Sequence, residues 1–158
     1  MLHDTPLSCL VSPEDGGTGP LPECLTRYTG FLVAKAHQRL WGVFSQLCQR
    51  HGMEAPAPGI LSLLVHHGPI SQHQLGRLIR TDRTTMVKIV DSLEKQGLAR
   101  RTDHPEDRRM YLVEVTEEGR RRLQGMQLEG EEMETQLLAQ FSEDERKLIR
   151  RALMALAG

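Results

Sequence analysis

Two short segments, each opened by a helix-capping residue, lie between Ser71 and Gly97, and a polar turn splits the run that follows. Ser71 with Gln74 three positions on has the spacing of a capping box, in which each side chain satisfies the other residue's N–H. Asp82 is a good N-cap for a second helix, and Gly97 suits the position just past that helix's end. Leu75, Leu78 and Ile79 predict a buried stripe on the first helix. Met86, Ile89, Val90 and Leu93 predict an inner face on the second. The opposite face of the second helix carries Arg83, Thr84, Thr85 and Lys88. After Gly97, "LARRT" and "RMYLVEV" flank the turn "DHPED". Tyr111, Val113 and Val115 alternate with Met110, Leu112 and Glu114, so one face of this strand is expected to be buried.

The surrounding chain is mostly helical by its periodicity. The 158 residues suit one domain, and with aromatics at only 4 % the core must come mainly from Leu, Val, Ile, Met and Ala. Apolar steps of three or four residues predict a long helix from Leu25 to about His51, ended by Gly52. Pro56 and Pro58 bracket a restart, and "GILSLLVHH" reads as a short helix ending at Gly68. Thr116 is placed to cap a helix carrying Leu123, Met126, Leu137 and Leu138 towards Phe141, with Glu117 and Glu118 in its first turn, where the helix dipole favours acids. Ser142 with Glu145 forms another capping box, and Leu148, Ile149, Leu153 and Leu156 continue that last helix.

Charge is unevenly spread, although the formal net charge is only −1. Residues 1–26 hold four acids and no Lys or Arg; residues 114–158 hold ten acids against seven bases. Residues 77–109 hold nine bases against six acids, so the basic surplus lies around the two capped helices and the turn. Two short capped helices and a hairpin describe a winged helix-turn-helix. In that arrangement the second helix enters a DNA major groove by its N-terminal residues. Arg83 and Lys88 could donate to guanine edges, and Thr84 or Thr85 could offer a methyl to thymine. Ser71, Gln72 and Arg80 are candidates for contacts to the DNA backbone. Arg108 and Arg109 at the hairpin tip are candidates for the minor groove, where narrow A·T-rich DNA concentrates negative potential. Asp107, two residues from Arg109 on extended chain, could hold that guanidinium.

The stretch from Ile70 to Arg120 resembles the MarR family of bacterial transcriptional regulators. "LEKQGLARR", "DHPEDRR" and "VTEEGR" match the family's pattern in order and spacing, and the family's wing Asp-x-Arg falls on Asp107 and Arg109. The resemblance implies a mainly α fold with a small β-wing, in which N- and C-terminal dimerisation helices flank the winged helix-turn-helix. It divides the chain from residue 23 on into an N-terminal dimerisation helix (23–55), the DNA-binding domain (56–116) and C-terminal dimerisation helices (117–158); it does not cover residues 1–22, where Pro6, Pro13, Pro20, Pro22 and "EDGGTG" lead to the expectation of a flexible acidic arm. It further implies a homodimer on a double-stranded, pseudo-palindromic operator, commonly as a repressor, released by a small aromatic or phenolic effector.

Other function classes are carried less well by the residues. No GxGxxG, P-loop or GxSxG occurs, so no enzyme is expected. His37 and Trp41, four residues apart on one helix, are candidates for an effector pocket. Cys24, with Arg27 one turn on, is the candidate for a redox-responsive regulator. A metal-responsive regulator is a further alternative, but the seven histidines show no compact ligand spacing, and neither metal nor cofactor is expected. A winged helix that binds only proteins is the reading from another class. The absence of a signal-like N-terminus and of long apolar runs leads to the expectation of a cytoplasmic protein with no membrane partner. If the acidic arm screens the basic surface, deleting residues 1–22 tightens DNA binding at low salt; unchanged affinity in that titration excludes screening.

Overall fold

The computed structural model describes residues 20–105 and 110–158. The chain divides into two units, one up to Leu40 and one from Trp41 to Gly158. The described part of the first unit contains α1 (Glu23–Thr26) and the beginning of α2 (Thr29–Arg50). The long helix expected from Leu25 is therefore interrupted: α1 closes at Arg27, and helical hydrogen bonding restarts from Tyr28, whose carbonyl accepts from Leu32 N.

The second unit holds the end of α2 and, in chain order, α3 (Ala57–His67), β1 (Ile70–Ser71), α4 (Gln72–Leu78), α5 (Arg83–Lys95), β2 (Ala99–Asp103), β3 (Tyr111–Val115), α6 (Glu117–Leu137) and α7 (Glu143–Ala157). The capping residues act as their spacing predicts. Ser71 Oγ accepts from Gln74 N while the Gln74 side chain returns to Ser71 N, and the same reciprocal box joins Ser142 to Glu145. Asp82 accepts from Thr85 N, and Thr116 from Gly119 N. Gly97 has φ +70°, past the end of α5.

Leu47 and Cys48 of α2, Ile60, Leu61 and Leu64 of α3, Leu75 of α4, and Met86, Val90 and Leu93 of α5 form one buried cluster. Leu98, Val113 and Val115 close it from the hairpin, and Leu123 and Met126 from α6. Burial raises the Cys48 thiol pKa, so this cysteine is a small core hydrophobe.

The sheet has the order β1–β3–β2, with both pairs antiparallel. β1 contributes only two residues, opposite Val113 and Leu112, which is too short to leave an alternating signal in the sequence. Two expected core positions differ. Leu78 is 51 % exposed because α4 ends there, and Ile79, a full turn after Leu75, packs against the core instead. Tyr111 is 54 % exposed because it pairs with Asp103 at the far end of the ladder, beyond the helices that cover Val113. α7 has no buried residue, although its apolar positions keep the expected period.

The joint between hairpin and α6 is tight. Thr116 donates its N–H to Leu98 O at 3.0 Å and its hydroxyl to Gly97 O at 2.6 Å. A Cβ on Gly119 would lie 2.1 Å from Leu98 O, so only glycine fits there. Gly119→Ala is expected to cost about 1–3 kcal/mol, the range for overpacking a well-filled site. Urea unfolding checks this, and an unchanged midpoint would show that the joint yields.

Candidate nucleic-acid interface

The N-terminal half of α5 presents a polar and basic face because its apolar residues are used inward. Met86, Val90 and Leu93 are buried, which turns Arg83, Thr84, Thr85 and Lys88 outward, and all four are exposed. Val87 is also exposed, one turn beyond Arg83 and Thr84. The sequence reading did not single it out, though its place off the apolar stripe was visible there.

Asp82 sets the start of this helix. Its carboxylate accepts from Thr85 N at 3.0 Å and from Thr85 Oγ1 at 2.6 Å. These bonds, the hydroxyl first, hold the Asp82 carboxyl below its usual value. The cap is therefore present in full above the ordinary carboxylate range and is lost only as pH falls through that lowered value. Because the Thr85 hydroxyl is committed to Asp82, its methyl is the part left for an apolar contact.

One arginine joins the pieces of the motif. Arg101 of β2 donates from Nε to Gln72 Oε1 at 3.1 Å and from its terminal nitrogens to Asp91 (2.6 Å) and Glu94. Its backbone N–H donates to Glu94 Oε1 at 2.7 Å. The wing strand, the start of α4 and the second half of α5 thus share one guanidinium, whose side chain is 23 % exposed. Arg100, on the other face of β2, pairs across the hairpin with Glu114. Local spacing does not single out Arg101. Its only local trace is an acidic pair, Asp91 and Glu94, at helical spacing before an arginine-bearing strand.

The expected backbone contacts are placed unevenly. Ser71 is only 7 % exposed, with its hydroxyl taken up in the capping box. Gln72 is turned inward to Arg101, and its Nε2 is buried with no hydrogen-bond partner among the described residues. Arg80 is exposed and donates to Ala157 O, in the last residue of α7, at 3.2 Å, and to Gly158 O. A cavity of about 740 Å³ opens between α4, the start of α5 and β3, lined by Arg77, Arg80, Arg83, Met86 and Tyr111 among others. The expected wing residues Asp107, Arg108 and Arg109 lie outside the described residues.

The candidates for signal reception are dispersed. His37 and Trp41 are both exposed on α2. Cys24 is exposed on α1, and Arg27 turns its guanidinium to Tyr28, donating to the phenol oxygen at 2.7 Å and lying 4.8 Å from the ring centre. Among the described residues no group of three or more His, Cys, Asp or Glu could hold a metal ion, and no helix is long and apolar enough to cross a membrane.

Comparison with known proteins places this geometry. The MarR family model matches residues 51–110, from the end of α2 to the start of β3. NicR of Pseudomonas putida, named an HTH-type transcriptional repressor, is 31 % identical over 120 residues, 76 % of each chain. YdgJ of Bacillus subtilis, named an HTH-type transcriptional regulator, is 34 % identical over 90 residues, which span 57 % of this chain and 55 % of that one. The repressor CouR has been solved on a 23-mer DNA duplex and also, from Rhodococcus jostii, with p-coumaroyl-CoA. The DNA-bound structure superposes with a TM-score of 0.80 at 24 % identity, over 89 % of this chain and all of that one.

The Arg101 network yields a prediction. Arg101→Gln should destabilise the protein by about 1.5–3 kcal/mol, the range for hydrogen bonds to charged groups. Amide exchange in β2 and β3 should quicken more than in α6. Uniform exchange across those elements would show that Arg101 does not anchor the wing.

Proposed function

This chain belongs to the MarR family of DNA-binding transcriptional regulators, and we propose that it acts as a homodimeric repressor of a pseudo-palindromic operator. The observation that carries the reading is the exposed Arg83, Thr84, Thr85 and Lys88 face of α5, started by Asp82 and braced by Arg101. In this reading α5 enters the major groove. Lys88 and Arg83 donate to base edges, and the Thr85 methyl meets thymine. Asp107, Arg108 and Arg109 belong to the wing that reaches the minor groove, with Asp107 steadying Arg109.

The homodimer is supported by α7, which leaves Leu148, Leu153, Met154 and Leu156 exposed on a helix with no buried residue. So much apolar surface on one helix is what a partner subunit covers. In this division residues 23–55 and 117–158 are the dimerisation helices and residues 56–116 the DNA-binding domain. Repression is supported by the name of NicR. An aromatic group in the effector is supported by the p-coumaroyl-CoA bound to CouR; a small aromatic or phenolic compound is the effector proposed here, with His37 and Trp41 as the residues proposed to meet it.

Fluorescence anisotropy with the DNA upstream of the protein's own gene, beside a scrambled duplex and across a salt series, tests the reading. Preference for the first duplex with a linear log–log salt slope is expected. Lys88→Ala should relax base preference by about 1–3 kcal/mol, and Arg109→Ala should weaken A·T-flanked sites most. Equal affinity for both duplexes would overturn operator recognition at that site, and an inert Arg109→Ala would overturn the wing assignment.

A further inference from the structure

The junction of α6 and α7 is made by arginines more than by packing. Of the 15 residues of α7 only Arg146 and Ile149 are half-buried, and the others are exposed. α6 ends at Leu137 and is capped by Leu138. Carbonyls at a helix end have no helical partner and need another donor. Arg146 supplies one from the first turns of α7. Its Nε–H is shared between Leu138 O at 3.1 Å and Phe141 O at 3.0 Å, a three-centre bond of the kind common at helix ends. Phe141 N–H donates to the same Leu138 O at 3.0 Å and closes the turn. One turn further along α7, Arg150 donates to Glu134 Oε1 of α6 at 2.9 Å. That pair is exposed on both sides, 68 % and 58 %, and an exposed pair contributes little. Arg146 is the firmer of the two, because it is half-buried and its acceptors belong to the backbone.

We propose that Arg146 is a positioning residue for the subunit contact: it closes the elbow between α6 and α7 in the single chain, so that the apolar face of α7 is already aimed when a second copy arrives. This rests on the homodimer reading above. A helix with no buried residue has no core contact to fix its direction. Without Arg146, α7 turns about residues 138–142, and dimerisation has to restore its direction at a cost in entropy. Leu153 follows Arg146 by seven residues and Arg150 by three, so the side of α7 that meets α6 adjoins its apolar face. The angle of the elbow therefore sets where that face points.

Sedimentation of the full chain across a concentration series gives the subunit dissociation constant. Arg146→Met keeps the stem and removes the donors. It is expected to raise that constant about tenfold, within one net hydrogen bond for each of two subunits. Glu134→Gln breaks only the exposed pair and is expected to change it by no more than about twofold. An unchanged constant in Arg146→Met overturns the proposal, and so does an equal loss in Glu134→Gln. Arg146→Lys keeps a cationic donor near the same carbonyls and should recover part of the loss; no recovery overturns the carbonyl contact as its cause. Amide exchange separates positioning from general stability. In Arg146→Met the Phe141 amide should quicken while those of α5 and β3 keep their rates, and equal quickening throughout the chain overturns a positioning role. Should Arg146→Met fail to fold, Arg146→Gln carries the same expectations. Failure of the homodimer reading would show separately, as an unmodified chain that stays monomeric at every concentration, with Phe141 exchange still reporting whether Arg146 closes the elbow.

Discussion

The guanidinium of Arg101 is the point at which α4, α5 and the hairpin are held together. A hairpin of five-residue strands cannot hold its direction by its own ladder, and the ends of short helices fray. Arg101 meets both problems by bonding Gln72 at the start of α4 and Asp91 and Glu94 along α5. Asp91 and Glu94 lie two to three turns beyond Arg83 on the same side of α5, so the hairpin is held at the second half of the helix, away from its first turn. Partial burial of the arginine makes the arrangement directional, because each donor left without an acceptor would be costly.

Around that point the molecule separates two kinds of surface. The core from α2 to α6 is filled by Leu, Ile, Val and Met, and it takes Met86 from the start of α5 while leaving Arg83, Thr84 and Thr85 outside. α7 contributes nothing to that core and keeps its leucines exposed. Its apolar stripe is left largely to solvent, the arrangement of an amphipathic helix whose face is not used by the core. Arg80 spans these two surfaces, with its backbone in the turn before α5 and its guanidinium on the end of α7.

Much of the fold was legible because its signals are local. A capping box needs residues three apart, and both boxes formed as their spacing predicted. The exposed face of α5 was legible for the same reason, since Met86, Val90 and Leu93 share one side of a helix whatever lies beyond it. The misplaced residues sit where elements end. Leu78 and Tyr111 satisfy a periodic pattern, but the helix closes at the first and the ladder runs past the core at the second. Arg101 and β1 left almost no local mark. A two-residue strand has no period, and an arginine in a strand reads as solvated.

The sequence by itself determined most of the helices and the hairpin, their caps, the inner face of α5 and the family to which the chain belongs. Each follows from side chains within a turn or two of one another, or from a contiguous motif. The tertiary structure alone decided which cations are available to a ligand. Arg101 is engaged by residues 7, 10 and 29 positions away, and Arg80 by carbonyls 77 and 78 positions away. Spacing along the chain cannot anticipate such pairs, because a guanidinium takes whichever acceptors folding brings within about 3 Å of it.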